Sequence, residues 1–101
     1  LKPKNEEEVN QVAEEFANSL LVPQRYQNQP LDCYTAIKAG MLLGFNAFQS
    51  LQNISVIDGK PSMWSSVLNN LISNHQDPNE IKETIKMAGV ITREELEGDK
   101  S

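Results

Sequence analysis

Ile54-Ser55-Val56-Ile57-Asp58-Gly59-Lys60-Pro61-Ser62-Met63-Trp64 is the stretch whose reading decides the fold of this chain. Ile54, Val56 and Ile57 are β-branched and favour extended backbone. Asp58-Gly59 follows at once, and Asp-Gly between two short extended runs is a strong local signal for a tight hairpin turn. The return arm is then Lys60 to Met63. Pro61 cannot donate to a ladder, so this arm is expected to be an edge strand or a very short one. Beyond it, Trp64, Val67, Leu68, Leu71 and Ile72 recur at helical spacing and predict a helix over about 63–73. A hairpin feeding straight into a helix is the organising unit.

On the N-terminal side the periodicity is helical throughout. Val9, Val12, Ala13, Phe16, Ala17 and Leu20 form one apolar stripe and predict a helix over about 6–21. Asn5 and Glu8 have capping-box spacing, three consecutive glutamates sit at the positive end of the helix dipole, and Pro23 ends the run. Residues 23–30 (PQRYQNQP) read as a polar loop that leaves Tyr26 exposed. A second helix is predicted from Leu31 or Asp32 to Leu43. Asp32 is its cap, Cys33, Ala36, Ile37, Gly40 and Met41 its buried face, and Gly44 its left-handed stop. Small residues Ala36, Ala39 and Gly40 would let another helix approach closely. Asn46 and Gln49 repeat the capping-box spacing and predict a short third helix over about 47–52.

On the C-terminal side, residues 73–78 (SNHQDP) read as a linker. Asp77, Pro78 and Glu80 are N-cap, N1 and N3 of a fifth helix, with Ile81, Ile85 and Ala88 as its stripe and Gly89 as its stop. Thr92 and Glu95 open a last short turn before a polar tail. The expected fold is mainly α with a short β-hairpin (α+β): helix–helix–helix–hairpin–helix, then a C-terminal helical tail. Residues 1–74 form the helical core with its hairpin, and residues 75–101 the linker and acidic tail.

Composition narrows the function classes. The chain has 101 residues, 39% hydrophobic and 23% charged, enough for one small ordered domain. No apolar run approaches a membrane span, so no membrane partner is expected. Lys2 and Lys4 followed by Glu6, Glu7 and Glu8 do not form a signal-peptide pattern. The single cysteine, Cys33, excludes an internal disulfide or a CxxC site and fits a reducing cytoplasm. Net charge is −5, unevenly spread: −3 over residues 1–22, +1 over 23–74 and −3 over 75–101. A nonspecific nucleic-acid binder needs a dense basic footprint, which this composition lacks.

Catalysis needs a nucleophile, a base and an orienting group, and no such set converges here. His75 lies in the polar linker as a solvated side chain. Cys33 sits among Ala36 and Ile37 as a core thiol. Asp58-Gly59 is a turn without further carboxylates at calcium-loop spacing, and no glycine pattern makes a phosphate loop. The reading is no enzyme, no metal, no cofactor and no small-molecule substrate. Surfaces remain. Trp64 is either a core anchor under the hairpin or a base-stacking platform; Tyr26 in its loop could also meet a base. Arg25, Lys38 and Lys60 are the basic groups of the middle segment. If they converge with Tyr26 they make a small phosphate-contacting patch; singly, each is a surface charge.

Phe16 to Tyr26 (FANSLLVPQRY) and Asp32 to Trp64, with SLQNISVIDGKPSMW as the most specific block, resemble the phage RecT-like single-strand annealing recombination proteins. The matching positions are Ala17, Ser19, Val22, Pro23 and Tyr26; then Ala36, Gly40, Leu43 and Gly44. The last block adds Ser50 to Ile54, Val56, Ile57, Gly59 to Ser62, and Trp64. The resemblance covers roughly residues 13–73. It implies binding of single-stranded DNA and annealing of complementary strands in phage-type homologous recombination, without nucleotide hydrolysis, by a homo-oligomer in the cytoplasm of a bacterial host. It implicates Lys60 and Arg25 first, then Lys38, Tyr26 and Trp64, along a basic groove beside the hairpin.

The family core continues after the Trp64 helix with further strands and basic helices, whereas this chain turns to an acidic helical end. The expectation is therefore the N-terminal half of that core, with a join near residues 74–78. The end, KMAGVITREELEGDK, resembles short helix–turn–helix tails and suggests oligomer contacts. The competing expectation is a small helical protein–protein interaction or oligomerisation module without DNA binding, using an apolar groove between the second and fourth helices.

Overall fold

Asparagine, aspartate and glycine punctuate the chain where local chemistry requires them. A computed structural model describes residues 5–98; Lys2, Lys4 and the last residues of the polar tail lie outside the described residues. Asn5 Oδ1 accepts from the Glu8 amide at 2.9 Å and opens α1, Glu6–Ala17. This helix stops four residues before the expected Leu21. Asn18 takes the C-cap, its Nδ2 donating to Glu14 O at 3.0 Å, and Ser19 Oγ then accepts from the Leu21 amide at 3.0 Å. Local side-chain bonds of this kind compete with helix continuation. Leu20, expected in the apolar stripe, is instead 87% exposed.

The loop after Pro23 contains a single 3-10 turn, Gln24–Tyr26, and leads into α2, Pro30–Leu42. Pro30 occupies the first turn and Gln29 the cap, so Asp32 sits inside the helix and not at its cap. Proline has no amide to leave unsatisfied at that position, which puts the cap three positions earlier than Asp32. Cys33, Ala36, Ile37, Ala39 and Gly40 are buried, while Met41 is half-buried. A Cβ at Gly40 would lie 1.9 Å from Ser50 Oγ and 2.5 Å from Ser50 Cβ. That close approach holds α2 against α3, Ala47–Asn53, whose capping box joins Asn46 and Gln49 in both directions.

β1, Ser55–Ile57, and β2, Lys60–Met63, pair antiparallel with Ile57 opposite Lys60. Asp58 and Gly59 have φ of 52° and 77°, the two positive values that a type I′ turn needs. α4 spans Ser65–Ser73 and α5 spans Pro78–Ala88, the latter capped by Asp77 Oδ1 on the Glu80 amide at 3.2 Å and stopped by left-handed Gly89. Ile91–Thr92 then forms β3, parallel to β2, before α6, Arg93–Gly98.

The sheet order β1-β2-β3 makes β2 central, so of the two alternatives expected for this arm the edge position fails and the very short strand, at four residues, holds. Pro61 is tolerated there for two reasons. Opposite Val56 it occupies a non-hydrogen-bonded position of the hairpin. On the other side, β3 pairs only with Ser62 and Met63.

The result is mainly α with a small sheet. α1 lies on α2, and α2 also meets α3, the hairpin and α5. Val9, Ala13, Ile37, Leu51, Ile54, Met63 and Leu68 share one buried cluster. Residues after 74 add Ile81 and Val90 to that same cluster. Among the described residues no helix is long and apolar enough to cross a membrane.

Candidate nucleic-acid interface

Strand alternation sorts the hairpin into two faces. Val56, Pro61 and Met63 point one way, and Met63 is buried in the core. Ser55, Ile57, Lys60 and Ser62 point the other way, and the alternation continues through extended Trp64. Ser62 Oγ donates to Ser55 O at 2.9 Å, which satisfies the buried hydroxyl and locks the two strands. Lys60 is exposed at the hairpin tip and has no ion pair among the described residues.

Arg93 reaches this face from the far side of the sheet. Pairing of Met63 with Thr92 sets residue 93 beside residue 64. Its guanidinium lies 5.0 Å from the Trp64 ring centroid, and Nη1 donates to Ser55 Oγ at 3.1 Å. Arg93 Nε stands 3.5 Å from Glu97 Oε1, an ion-pair distance without hydrogen-bond alignment. Trp64 keeps 44% of its surface exposed, so neither of its two expected roles is complete: it anchors the sheet end and still offers ring surface. The next residue fixes it further. Glu94 accepts from the Ser65 amide at 3.0 Å and from Ser65 Oγ at 2.5 Å. Those two bonds hold its carboxyl below the ordinary value, and they cap α4 from a distant element.

The other expected contact residues have different surroundings. Tyr26, expected on the surface, is 1% exposed. Its hydroxyl donates to Ile54 O, and burial pushes its pKa up to about 12. The turn at residues 24–26 points the ring inward, so it presents no face to a base. Arg25 is exposed but bends back: Nη2 donates to Leu51 O at 3.2 Å and to Ile54 O at 3.5 Å, and Cζ lies 5.1 Å from the Tyr26 ring. Lys38 is tied to Glu6 at 2.6 Å and to Tyr34 Oη at 3.4 Å, at the α1–α2 junction. The patch expected around Tyr26 therefore does not form; Lys60, Trp64 and Arg93 share a face instead.

Arg93 and Glu94 were not legible as site residues. Only the parallel pairing of the two-residue strand β3 brings them to Trp64, and two residues carry no periodicity. The apolar groove also differs from expectation. It runs between α4 and α5, about 530 Å3, walled by Leu68, Ile72 and Ile85 with Lys82, Glu83 and Lys86 on its rim. α5 takes the place beside α4 that the sequence reading gave to α2.

No family model matches the chain, and no curated protein or solved structure matches it.

Proposed function

We propose that this protein binds single-stranded DNA through the outer face of its hairpin and promotes annealing of complementary strands, as a phage-type recombination protein working in the bacterial cytoplasm without nucleotide hydrolysis. The observation that carries the reading is the shared face of Lys60, Trp64 and Arg93: an ammonium with no ion pair among the described residues, a half-exposed indole, and a guanidinium that lies over it and faces Glu97. Phosphate contacts position a strand and aromatic faces accept any base, so this set suits sequence-independent binding. Arg25 adds positive charge at the Ile54 end of β1, while its Nη2 is held by the Leu51 and Ile54 carbonyls. The resemblance of residues 50–64 to RecT-like proteins supports the same assignment.

Magnitudes set the regime. With two or three cations engaged, the slope of log affinity against log salt is about −1.4 to −2 for a single strand. Affinity then falls roughly 7- to 18-fold between 50 and 200 mM salt. The phosphate contacts favour low salt, and the net charge of −5 works against them by weakening binding at every salt concentration. The test is fluorescence-monitored annealing of two complementary oligonucleotides at low salt without nucleotide. Acceleration by the wild type that is lost in Lys60→Glu with Trp64→Ala supports the reading; no acceleration by the wild type overturns it.

A second reading, a protein–protein interaction module, is favoured by the apolar α4–α5 groove and by leucines left in solvent.

A further inference from the structure

We infer that Glu97 competes with phosphate for Arg93, so that a carboxylate of α6 regulates the nucleic-acid face. This rests on the single-strand reading and adds a control to the same site. Glu97 follows Arg93 by four residues on α6 and shares its side of the helix. Its Oε1 stands 3.5 Å from Arg93 Nε, yet the buried Nε makes no hydrogen bond. The charges attract without the aligned, two-bond geometry in which a guanidinium holds an anion most tightly. A phosphate can supply that geometry. Arg93 Nη2 donates to nothing among the described residues, so one edge of the guanidinium is unused.

Two other anchors separate positioning from competition. Nη1 donates to Ser55 Oγ on β1, and the guanidinium lies 5.0 Å from the ring centroid of Trp64, just after β2. Neither anchor belongs to α6, so both hold the guanidinium in place when Glu97 turns away. The Glu97 side chain is 53% exposed against 29% for Arg93, which leaves the carboxylate room to turn. The cation stays and the carboxylate leaves. The neighbouring acids of α6 differ: Glu94 is committed to Ser65, and Glu95 has no ion pair among the described residues. Lys60, also without an ion pair among the described residues, gives a strand its first contact before Glu97 yields. An exposed pair at this spacing is weak, so displacing it changes affinity several-fold and does not abolish binding.

The test is binding of a fluorescein-labelled oligothymidylate to the full chain at low salt, read by anisotropy, with thermal melts to check folding. Glu97→Gln is expected to bind about two- to fivefold tighter than the wild type. Glu95→Gln removes the same charge from the same helix and is expected to gain less than about 1.5-fold. In an Arg93→Gln background, adding Glu97→Gln should gain no more than Glu95→Gln does. That loss of additivity is the signature of a carboxylate acting through one guanidinium. Equal gains from Glu97→Gln and Glu95→Gln overturn the inference, and so does a Glu97 gain that persists in full without Arg93; the effect is then one of net charge. A folded Glu97→Gln variant that binds more weakly also overturns it, because Glu97 then positions Arg93. The comparison of Glu97 with Glu95 stands by itself where Arg93→Gln does not fold. Wild-type binding that Glu97→Gln leaves unchanged overturns this inference and spares the single-strand reading; no binding by either protein overturns both.

Discussion

Two arginine–aromatic pairs in this molecule match in distance and differ in use. Arg25 lies 5.1 Å from the Tyr26 ring, and Arg93 lies 5.0 Å from the Trp64 ring. Tyr26 is 1% exposed and Trp64 44%. The first pair sends its donors to main-chain carbonyls: the Tyr26 hydroxyl to Ile54 O, and Arg25 to Leu51 O and Ile54 O. These are carbonyls at the end of α3, where a cation also complements the helix dipole. The second pair sends one donor sideways to a serine hydroxyl, faces Glu97 with another, and leaves ring surface in solvent. The two pairs thus differ in the ring and not in the freedom of the cation: both guanidiniums are held, and Trp64 alone keeps a face in solvent.

Truncating the two rings should separate the regions most strongly. Tyr26→Ala is expected to cost about 4 kcal/mol in denaturant unfolding, as a buried aromatic does. Trp64→Ala should cost about 1 kcal/mol, the range of a partly exposed cation–π contact. Equal losses would break the comparison. Next, Gly40→Ala should cost about 2 to 3 kcal/mol, because a methyl group cannot fit 2.5 Å from Ser50 Cβ without moving α3, the helix that carries the Leu51 carbonyl. A thermal melt unchanged by Gly40→Ala would contradict the close approach of α2 and α3.

Titration sharpens the same contrast. Burial pushes Tyr26 up to about 12 and Cys33 up to about 11, from ordinary values of 10.0 and 9.0. Their protons are held more tightly in the folded state than in the unfolded chain. This stability is complete below about pH 9, falls as pH rises, and is gone above both folded values. Tyr26→Phe should flatten the alkaline limb of a stability–pH curve, whereas Trp64→Phe should leave its shape alone. On the acid side Glu94 has a lowered pKa, through its bonds to Ser65. Its contribution is present above the ordinary value of 4.5 and is lost as pH falls through the folded one. Glu94→Gln should remove that small loss; an acid limb that stays the same would place the α4 cap elsewhere.

Sequence legibility followed the range of the interactions. Asn5, the Asn46–Gln49 box, Asp58-Gly59, Asp77-Pro78 and Gly89 act on residues within four positions, and each marks an element boundary where expected. The early end of α1 was hidden because Asn18 and Ser19 divert the backbone with local side-chain bonds while the apolar spacing runs on to Leu20. Tyr26 looked like a loop residue because its partner, Ile54 O, is 28 positions away. Arg93 and Glu94 meet Ser55 and Ser65 across 38 and 29 positions. Of the candidate site, Lys60 and Trp64 could be read from the hairpin and the helix after it; the cation that completes the face could not.

The central claim is that Lys60 meets phosphate on an open face, and a salt titration of oligonucleotide binding by fluorescence anisotropy tests it most directly. Wild-type affinity should fall on a log–log slope of about −1.4 to −2, and Lys60→Gln should bind more weakly with a slope shallower by about 0.7. No binding at low salt, or a Lys60→Gln variant with the wild-type affinity and slope, would contradict it.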